Sequence, residues 1–188
     1  MDKKIEKKDI ITDIQNFQLV KLSQGYRVED FNCNIDEYNN FLKSEAINIQ
    51  EKNISKVHLI INKKNGDIVA YFTLSSSAIN LSSDEKVSHG IGDIIFNSFP
   101  CIKIGKLAAD INYSNIYSNI FSFLIEIIIG IAYDSINLGI ASRFLIVDAD
   151  IQNNPGVNEL YLKNGFNYNE KLQKSKNKTI SMRLDIFA

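Results

Sequence analysis

The run from Ile120 to Tyr133 constrains the fold of this chain more than any other feature, being apolar almost throughout and broken chiefly by Ser122 and Glu126. A membrane-spanning helix needs about 20 consecutive apolar residues, and this run is shorter and carries a carboxylate. It therefore reads as a buried helix, from about Ser118 to Asn137, that the rest of the chain must cover. With 188 residues the chain has the means, since a domain of that size buries about 70% of its extended surface without help from disulfides or metals. Cys33 and Cys101 show no CxxC spacing and no histidine at ligand spacing, which excludes a disulfide framework and leaves no metal to be expected.

Charge narrows the class further. The formal net charge is −1 and the pI is near 6.1, so there is no overall basic field of the kind that drives non-specific nucleic-acid binding. Lys171, Lys174, Lys176 and Lys178 form a local basic run that reads first as a solvated turn, with docking of a tRNA phosphate as the alternative. The N-terminal MDKKIEKKDI is charged and lacks the apolar core of a signal peptide, so a cytoplasmic protein with no membrane partner is expected. No repeat or linker divides the chain. One domain over residues 1–188 is the reading, with residues 1–15 as a polar arm.

Local patterns give an order of elements. FQLVKL (17–22) is a strand. In FNCNIDEYNNFLKSEAINIQ, Asn34 is a candidate N-cap with Glu37 completing a capping box, and Ile35, Tyr38, Leu42, Ala46 and Ile49 recur on one helical face. KVHLII and DIVAYFTLSS are β-rich runs joined across Asn65-Gly66, a hairpin turn. Residues 80–99 read as irregular or partly helical. CIKIGKLAAD is a strand, followed by the apolar helix and a further strand, RFLIVDAD. Asn154-Pro155 opens a short helix that Asn164-Gly165 closes. FNYNEKL and TISMRLDI pair last; Ile180, Met182, Leu184 and Ile186 alternate with polar residues, which implies one buried face.

Three segments in this order, FNCNIDEYNNFLKSEA, FPCIKIGKLAAD and FLIVDADIQNNPGVNELYLKNGF, together resemble the GNAT family of acetyl-CoA-dependent N-acetyltransferases, in the branch that holds the toxins acetylating aminoacyl-tRNA. The resemblance implies an α/β fold: a mixed, mostly antiparallel sheet whose two central parallel strands, Ile102–Ala109 and Phe144–Ala149, splay apart, with helices on both faces. It implies acetyl-CoA as co-substrate, its pantetheine arm bonded by the backbone of Leu107, Ala108 and Ala109, whose N–H groups are also the implied oxyanion donors. Asn153 and Asn154, just past the second strand, are candidates to meet that arm, although Asn154 also has a structural role as a cap.

One departure stands out. The family's pyrophosphate loop reads Q/R-x-x-G-x-G/A, its glycines bringing backbone N–H groups to the phosphates. Here the loop is Ser114-Asn115-Ile116-Tyr117-Ser118-Asn119, with Asn115, Tyr117 and Asn119 in the glycine positions. Asparagine tolerates positive φ, but a tyrosine at 117 would crowd a phosphate or force a different loop path, and no Lys or Arg lies between Lys106 and Arg143.

The residue matched to the family's general acid is Tyr161. A phenol of ordinary pKa near 10 can protonate a departing thiolate without being ionised at neutral pH. Its alternative role is a core aromatic on the face of Val157 and Leu160. No general base stands out: His58 lies in an apolar strand, His89 in the least legible segment, and Asp110 at a strand end. The implied reaction is direct attack of a primary amine on the acetyl thioester, the acceptor being a small molecule, a peptide or an aminoacyl-tRNA. The exposed sheet edges of this family leave a homodimer open. From another class comes a catalytically silent GNAT-fold module that binds a partner protein.

Overall fold

The computed structural model describes residues 7–169 and 178–188. In chain order a 3-10 turn (Ile10–Asn16) leads into β1 (Phe17–Lys21), and α1 (Asp36–Asn40) continues through a π turn (Phe41–Glu45) into α2 (Ala46–Glu51). Then come β2 (Lys56–Asn62), β3 (Ile68–Asn80), α3 (Ser83–Ser88), β4 (Ser98–Ala109), α4 (Ile111–Ile116) and α5 (Ile120–Asn137). The chain ends with β5 (Phe144–Asp150), α6 (Val157–Lys163), β6 (Asn167–Tyr168) and β7 (Thr179–Asp185). The strands hydrogen-bond in the order β1-β2-β3-β4-β5-β7-β6. β1 and β2, β2 and β3, β5 and β7, and β6 and β7 pair antiparallel, while β4 and β5 pair in parallel. This is the mixed α/β sheet that the resemblance implies.

Backbone contacts divide the chain into two compact units, Met1–Leu74 with Lys106–Leu124, and Ser75–Gly105 with Ile125–Ala188. In the first, Leu42 and Ala46 of the front helix pack with Leu22, Phe31, Phe41, Val57, Leu59, Tyr71 and Ala108 to make the core. The hairpin turn is as expected, with Gly66 at φ 76°, a conformation that favours glycine. In the second unit Ile79, Leu81, Phe99, Cys101 and Phe144 form the core. α5 is an 18-residue helix of mean hydropathy 1.6, long and apolar enough by those measures alone to cross a bilayer. Leu124, Ile128 and Ala132 are wholly buried along one face of it, while Glu126, Gly130, Tyr133 and Asp134 on the other side are exposed.

Three local expectations are corrected. Asn34 does not cap the front helix: it stands at φ 64°, Ile35 occupies the N-cap without a side-chain bond, and Glu37 instead pairs with Lys106 at 2.8 Å. Asn154-Pro155 precedes the short helix rather than opening it. The N-cap of α6 is Gly156, at φ 86°, and Asn154 contributes its carbonyl to Val157 N–H at 3.1 Å. β7 is buried on its polar face as well as its apolar one, since Arg183 and Asp185 are 5% and 6% exposed. Their charges are met by Glu85, His89 and Arg143, so alternation in β7 separates an apolar from an ionic interior. Of the basic run, Lys171, Lys174 and Lys176 lie outside the described residues.

Candidate functional site

The predicted site residues fall in both units, and each group is built here within its own. In the second unit the parallel ladder joins Cys101–Ile104 to Phe144–Val147 and stops there. Both strands run on past it, β4 to Ala109 and β5 to Asp150. Leu107, Ala108 and Ala109, which belong to the first unit, therefore lie on the part of β4 past Ile104. Ala108 is buried, Leu107 and Ala109 half-buried. Asp110 ends the strand by capping α4: its Oδ1 accepts Asn112 N–H and its Oδ2 accepts Asn32 N–H, both at 2.9 Å.

The loop after β4 is where the sequence departs furthest from the resemblance, and its geometry explains how. Ser114, Asn115 and Ile116 belong to α4, and Ser114 N–H donates to Asp110 O at 2.9 Å. Among the described residues only Asn34 and Asn53 hold positive φ outside glycine, so neither Asn115 nor Asn119 takes the left-handed conformation that asparagine would tolerate. Tyr117, at φ −110°, turns its ring inward. The ring stands edge-on to Phe17 at 5.8 Å, is 7% exposed, and donates its hydroxyl to Asp13 Oδ2 at 2.9 Å. Burial and the neighbouring Asp13 carboxylate push this phenol up to about 12. The ring is a core group of its unit, packed inward rather than held at the loop's surface.

What holds the loop is the segment before β1. Lys8 N–H donates to Ile116 O at 2.8 Å and Ser118 N–H to Lys8 O at 3.0 Å, a parallel bridge that pairs Lys8 with Tyr117. Asn119 accepts Ile10 N–H at 2.9 Å and donates to Asp9 Oδ1 at 2.7 Å. Lys7 Nζ reaches Ser114 O at 2.7 Å. Sequence reasoning treated residues 1–15 as a polar arm. Its available signal was the apolar group Ile10, Ile11 and Ile14 in that stretch, of which Ile10 is fully buried.

Beside the loop, Tyr113 donates its hydroxyl to Asp67 Oδ2 at 3.1 Å and accepts from Asn62 at 3.0 Å. A cavity of about 160 Å³ opens there, lined by Asp30, Phe31, Asp67, Ile68, Asp110, Asn112 and Tyr113. Its carboxylates are already engaged, Asp30 and Asp67 with Arg27 and Asp110 as the cap.

In the second unit Tyr161 is 4% exposed on α6, one helical turn from buried Val157. Its ring stands edge-on to Phe166 at 5.1 Å, and Leu160, which the sequence placed on the same face, is 38% exposed. The backbone around it is tightly set. Phe166 N–H donates to Tyr161 O at 3.1 Å and Gly165 N–H to Leu162 O at 3.1 Å, the paired bonds of a Schellman close, with Gly165 at φ 83°. Asn153 is exposed and folds back on Asp150, donating from its backbone at 3.0 Å and from Nδ2 at 2.8 Å. Asn154 is exposed in the turn that follows. His58, buried against Phe72 in β2, and His89, at the end of α3, have pKa values below the ordinary imidazole value, chiefly because burial disfavours the charged ring.

No protein-family model and no curated protein matches the sequence. Solved structures do, and they show the fold: it is that of the toxin-type GNAT acetyltransferases. A tyrosine-to-phenylalanine mutant of the toxin AtaT, bound to the C-terminus of the antitoxin AtaR, matches with a TM-score of 0.68 at 16% identity over 92% of this chain and 94% of that one. AtaT complexed with acetyl-methionyl-tRNAfMet matches with a TM-score of 0.70 at 19% identity, covering 87% and 93%. A tyrosine-to-phenylalanine mutant of KacT matches with a TM-score of 0.62 at 20% identity, covering 89% and 94%.

Proposed function

We propose that this chain is an acetyl-CoA-dependent N-acetyltransferase that passes an acetyl group to a primary amine by direct attack. The observation that carries the reading is the short parallel ladder between β4 and β5, which ends at Ile104 and Val147 while both strands continue. Beyond it the backbone of Leu107–Ala109 is offered to a ligand amide in place of a neighbouring strand, and a bound pantetheine supplies the missing bonds. The same backbone N–H groups stabilise charge on the carbonyl oxygen as the amine attacks. Tyr161 protonates the departing thiolate, and Asn153 and Asn154 meet the pantetheine arm. The acceptor amine loses its proton to solvent, directly or through water.

Aminoacyl-tRNA is the acceptor we favour over a small molecule or a peptide. Its support is the AtaT complex with acetyl-methionyl-tRNAfMet, together with the front-helix segment FNCNIDEYNNFLKSEA. An antitoxin-like protein partner is the corresponding proposal from the AtaT–AtaR complex. Location in the cytoplasm and self-association as a homodimer complete the reading.

A second reading is favoured by one observation. Two loop N–H groups that the family's pattern would aim at phosphates are already given away, Tyr117 to Tyr113 O at 2.9 Å and Ser118 to Lys8 O at 3.0 Å. On this reading the fold is kept as a silent module that binds a partner protein. Thermal unfolding with and without millimolar acetyl-CoA separates the two. A ligand at about 100-fold over its Kd adds roughly 2.7 kcal/mol, a rise of roughly 5–10 °C for a domain of this size. A rise accompanied by acetyl transfer to a charged tRNA pool supports the enzyme. An unchanged midpoint in the folded protein favours the silent module.

A further inference from the structure

The loop of residues 114–119 contains neither glycine nor cation, and Ser118 N–H is engaged by Lys8 O. With Tyr117 and Ser118 N–H both engaged, side chains are a further source of donors for an anionic ligand at this loop. The fold brings the Lys7 ammonium there, and the backbone of Lys8 with it, from more than a hundred positions away in sequence. Lys7 Nζ bonds Ser114 O at 2.7 Å, which uses only one of the ammonium's donors. Lys8 is pinned by its backbone on both sides, to Ile116 O and from Ser118 N–H, while its side chain stays 66% exposed.

The acidic residues of the same segment do not cancel these charges. Asp9 Oδ1 accepts Ile11 N–H at 2.9 Å and Asn119 Nδ2 at 2.7 Å, so it acts as a structural acceptor. Asp13 is committed to the Tyr117 hydroxyl at 2.9 Å and stands 4.0 Å from Lys8 Nζ, a long and largely solvated pair of little strength. Burial of Ile10 and the bonds to Asn119 hold the segment in place, so Lys7 meets the loop through its side chain and Lys8 through its backbone, with the Lys8 side chain exposed beside it.

We propose that Lys7 and Lys8 are the phosphate-holding residues of the coenzyme site, in the place of the glycine-rich loop that this chain lacks. The proposal rests on the reading of the chain as acetyl-CoA-dependent, and concerns only where the pyrophosphate charge is neutralised. Ammonium groups act on phosphate as point charges, without the geometric selectivity of a backbone nest. Coenzyme affinity should accordingly fall as salt rises.

The test compares two probes on the full chain by calorimetry: acetyl-CoA, and S-acetylpantetheine, which has the thioester arm but no pyrophosphate. Three proteins are measured, the wild type, K7Q/K8Q and the charge-keeping K7R/K8R. The expected result is that K7Q/K8Q binds acetyl-CoA about ten-fold more weakly or worse, that K7R/K8R restores most of the loss, and that S-acetylpantetheine is bound alike by all three. Unchanged acetyl-CoA affinity in K7Q/K8Q overturns the proposal and leaves the enzyme reading standing. So does a wild type that binds the two probes equally. A folded wild type that binds neither probe overturns both. An equal loss for both probes shows a change in the loop's shape rather than a lost charge contact, and also overturns the proposal.

Discussion

Arg183 donates from Nε to Nε2 of His89 at 3.0 Å, while the other nitrogen of that ring faces Asp185 Oδ2 at 3.0 Å. Both contacts are satisfied by one state of the ring, neutral with its proton on Nδ1. Protonating Nε2 would remove the acceptor and set a second positive charge against Arg183. Burial is the first cause that lowers the pKa of His89, and Arg183 the second; with Arg143 they outweigh the opposing pull of Asp185. His58, buried in β2, is lowered by the same leading cause.

Stability should therefore fall on mild acidification. In the unfolded chain each ring titrates near 6.5, and in the folded protein lower. Between those values the unfolded state binds more protons, so the contribution is complete above about pH 6.5 and is lost as pH drops toward the folded pKa. Thermal midpoints at about pH 7.5 and 5.5 should differ in the wild type, and less in His89→Gln, where one of the two rings is gone. An equal drop in the two proteins would assign the whole effect to His58 or to carboxylates.

The ionic interior around β7 should be costly to break. Arg183 Nη1 donates to Glu85 Oε1 at 2.7 Å, Asn169 Oδ1 at 2.9 Å and Tyr168 O at 3.0 Å, and Glu85 is itself 4% exposed. Arg183→Met strands a buried carboxylate, for which a loss of about 3–5 kcal/mol is expected in urea unfolding. Arg183→Lys keeps the charge but not the planar fork that reaches several acceptors, so it should lie between the two proteins. A loss below about 1 kcal/mol for Arg183→Met would show the cluster to be solvated rather than interior.

Tyr117 offers a direct check on the cofactor loop. Removing its hydroxyl with Tyr117→Phe should cost about 0.5–1.5 kcal/mol, the worth of the bond to Asp13. Tyr117→Gly removes a ring packed on Phe17 and should cost about 3–5 kcal/mol. Because the ring lies inside its unit, the glycine variant should bind acetyl-CoA no more tightly than the wild type. Tighter binding by Tyr117→Gly would mean that the ring does obstruct the phosphates.

These residues also show which parts of the molecule were legible in the sequence. Turns were, because Gly66 and Gly165 are required locally by positive φ, and the strands and α5 were, because their apolar patterns have a period of their own. The interior of β7 was not. Its alternation correctly placed Met182 inside, but Arg183 is buried by a partner 98 positions away, which no local window contains. The inward packing of Tyr117 was illegible for the same reason, its hydroxyl partner Asp13 being 104 positions distant. The capping box at Asn34 failed differently: the spacing to Glu37 was right, but Lys106 of β4 offers the glutamate an opposite charge at 2.8 Å. Of the candidate site, motif order nominates Tyr161 and the 107–109 backbone, while the packing of residues 7–10 on the loop was hidden in a stretch that reads as a charged arm.

Tyr161 carries the sharpest prediction. Its ring is held against Phe166 at 5.1 Å, and the Schellman close at Gly165 fixes the end of the helix that presents it. Tyr161→Phe keeps the ring and its packing, so unfolding stability should change by no more than about 1.5 kcal/mol, and acetyl-CoA should bind as before. Turnover should fall about 100-fold or more if the hydroxyl is the proton donor. A large loss of stability with turnover per folded molecule preserved would return Tyr161 to the core. Gly165→Ala supplies the complementary test of position. A Cβ there would lie 3.2 Å from Leu184 Cδ1 at a φ that L residues avoid, costing about 1 kcal/mol or more. It leaves the phenol chemically intact but loosens the turn that sets α6. A turnover loss in Gly165→Ala that exceeds any loss of acetyl-CoA affinity would show that the placement of Tyr161, and not merely its presence, sets the rate.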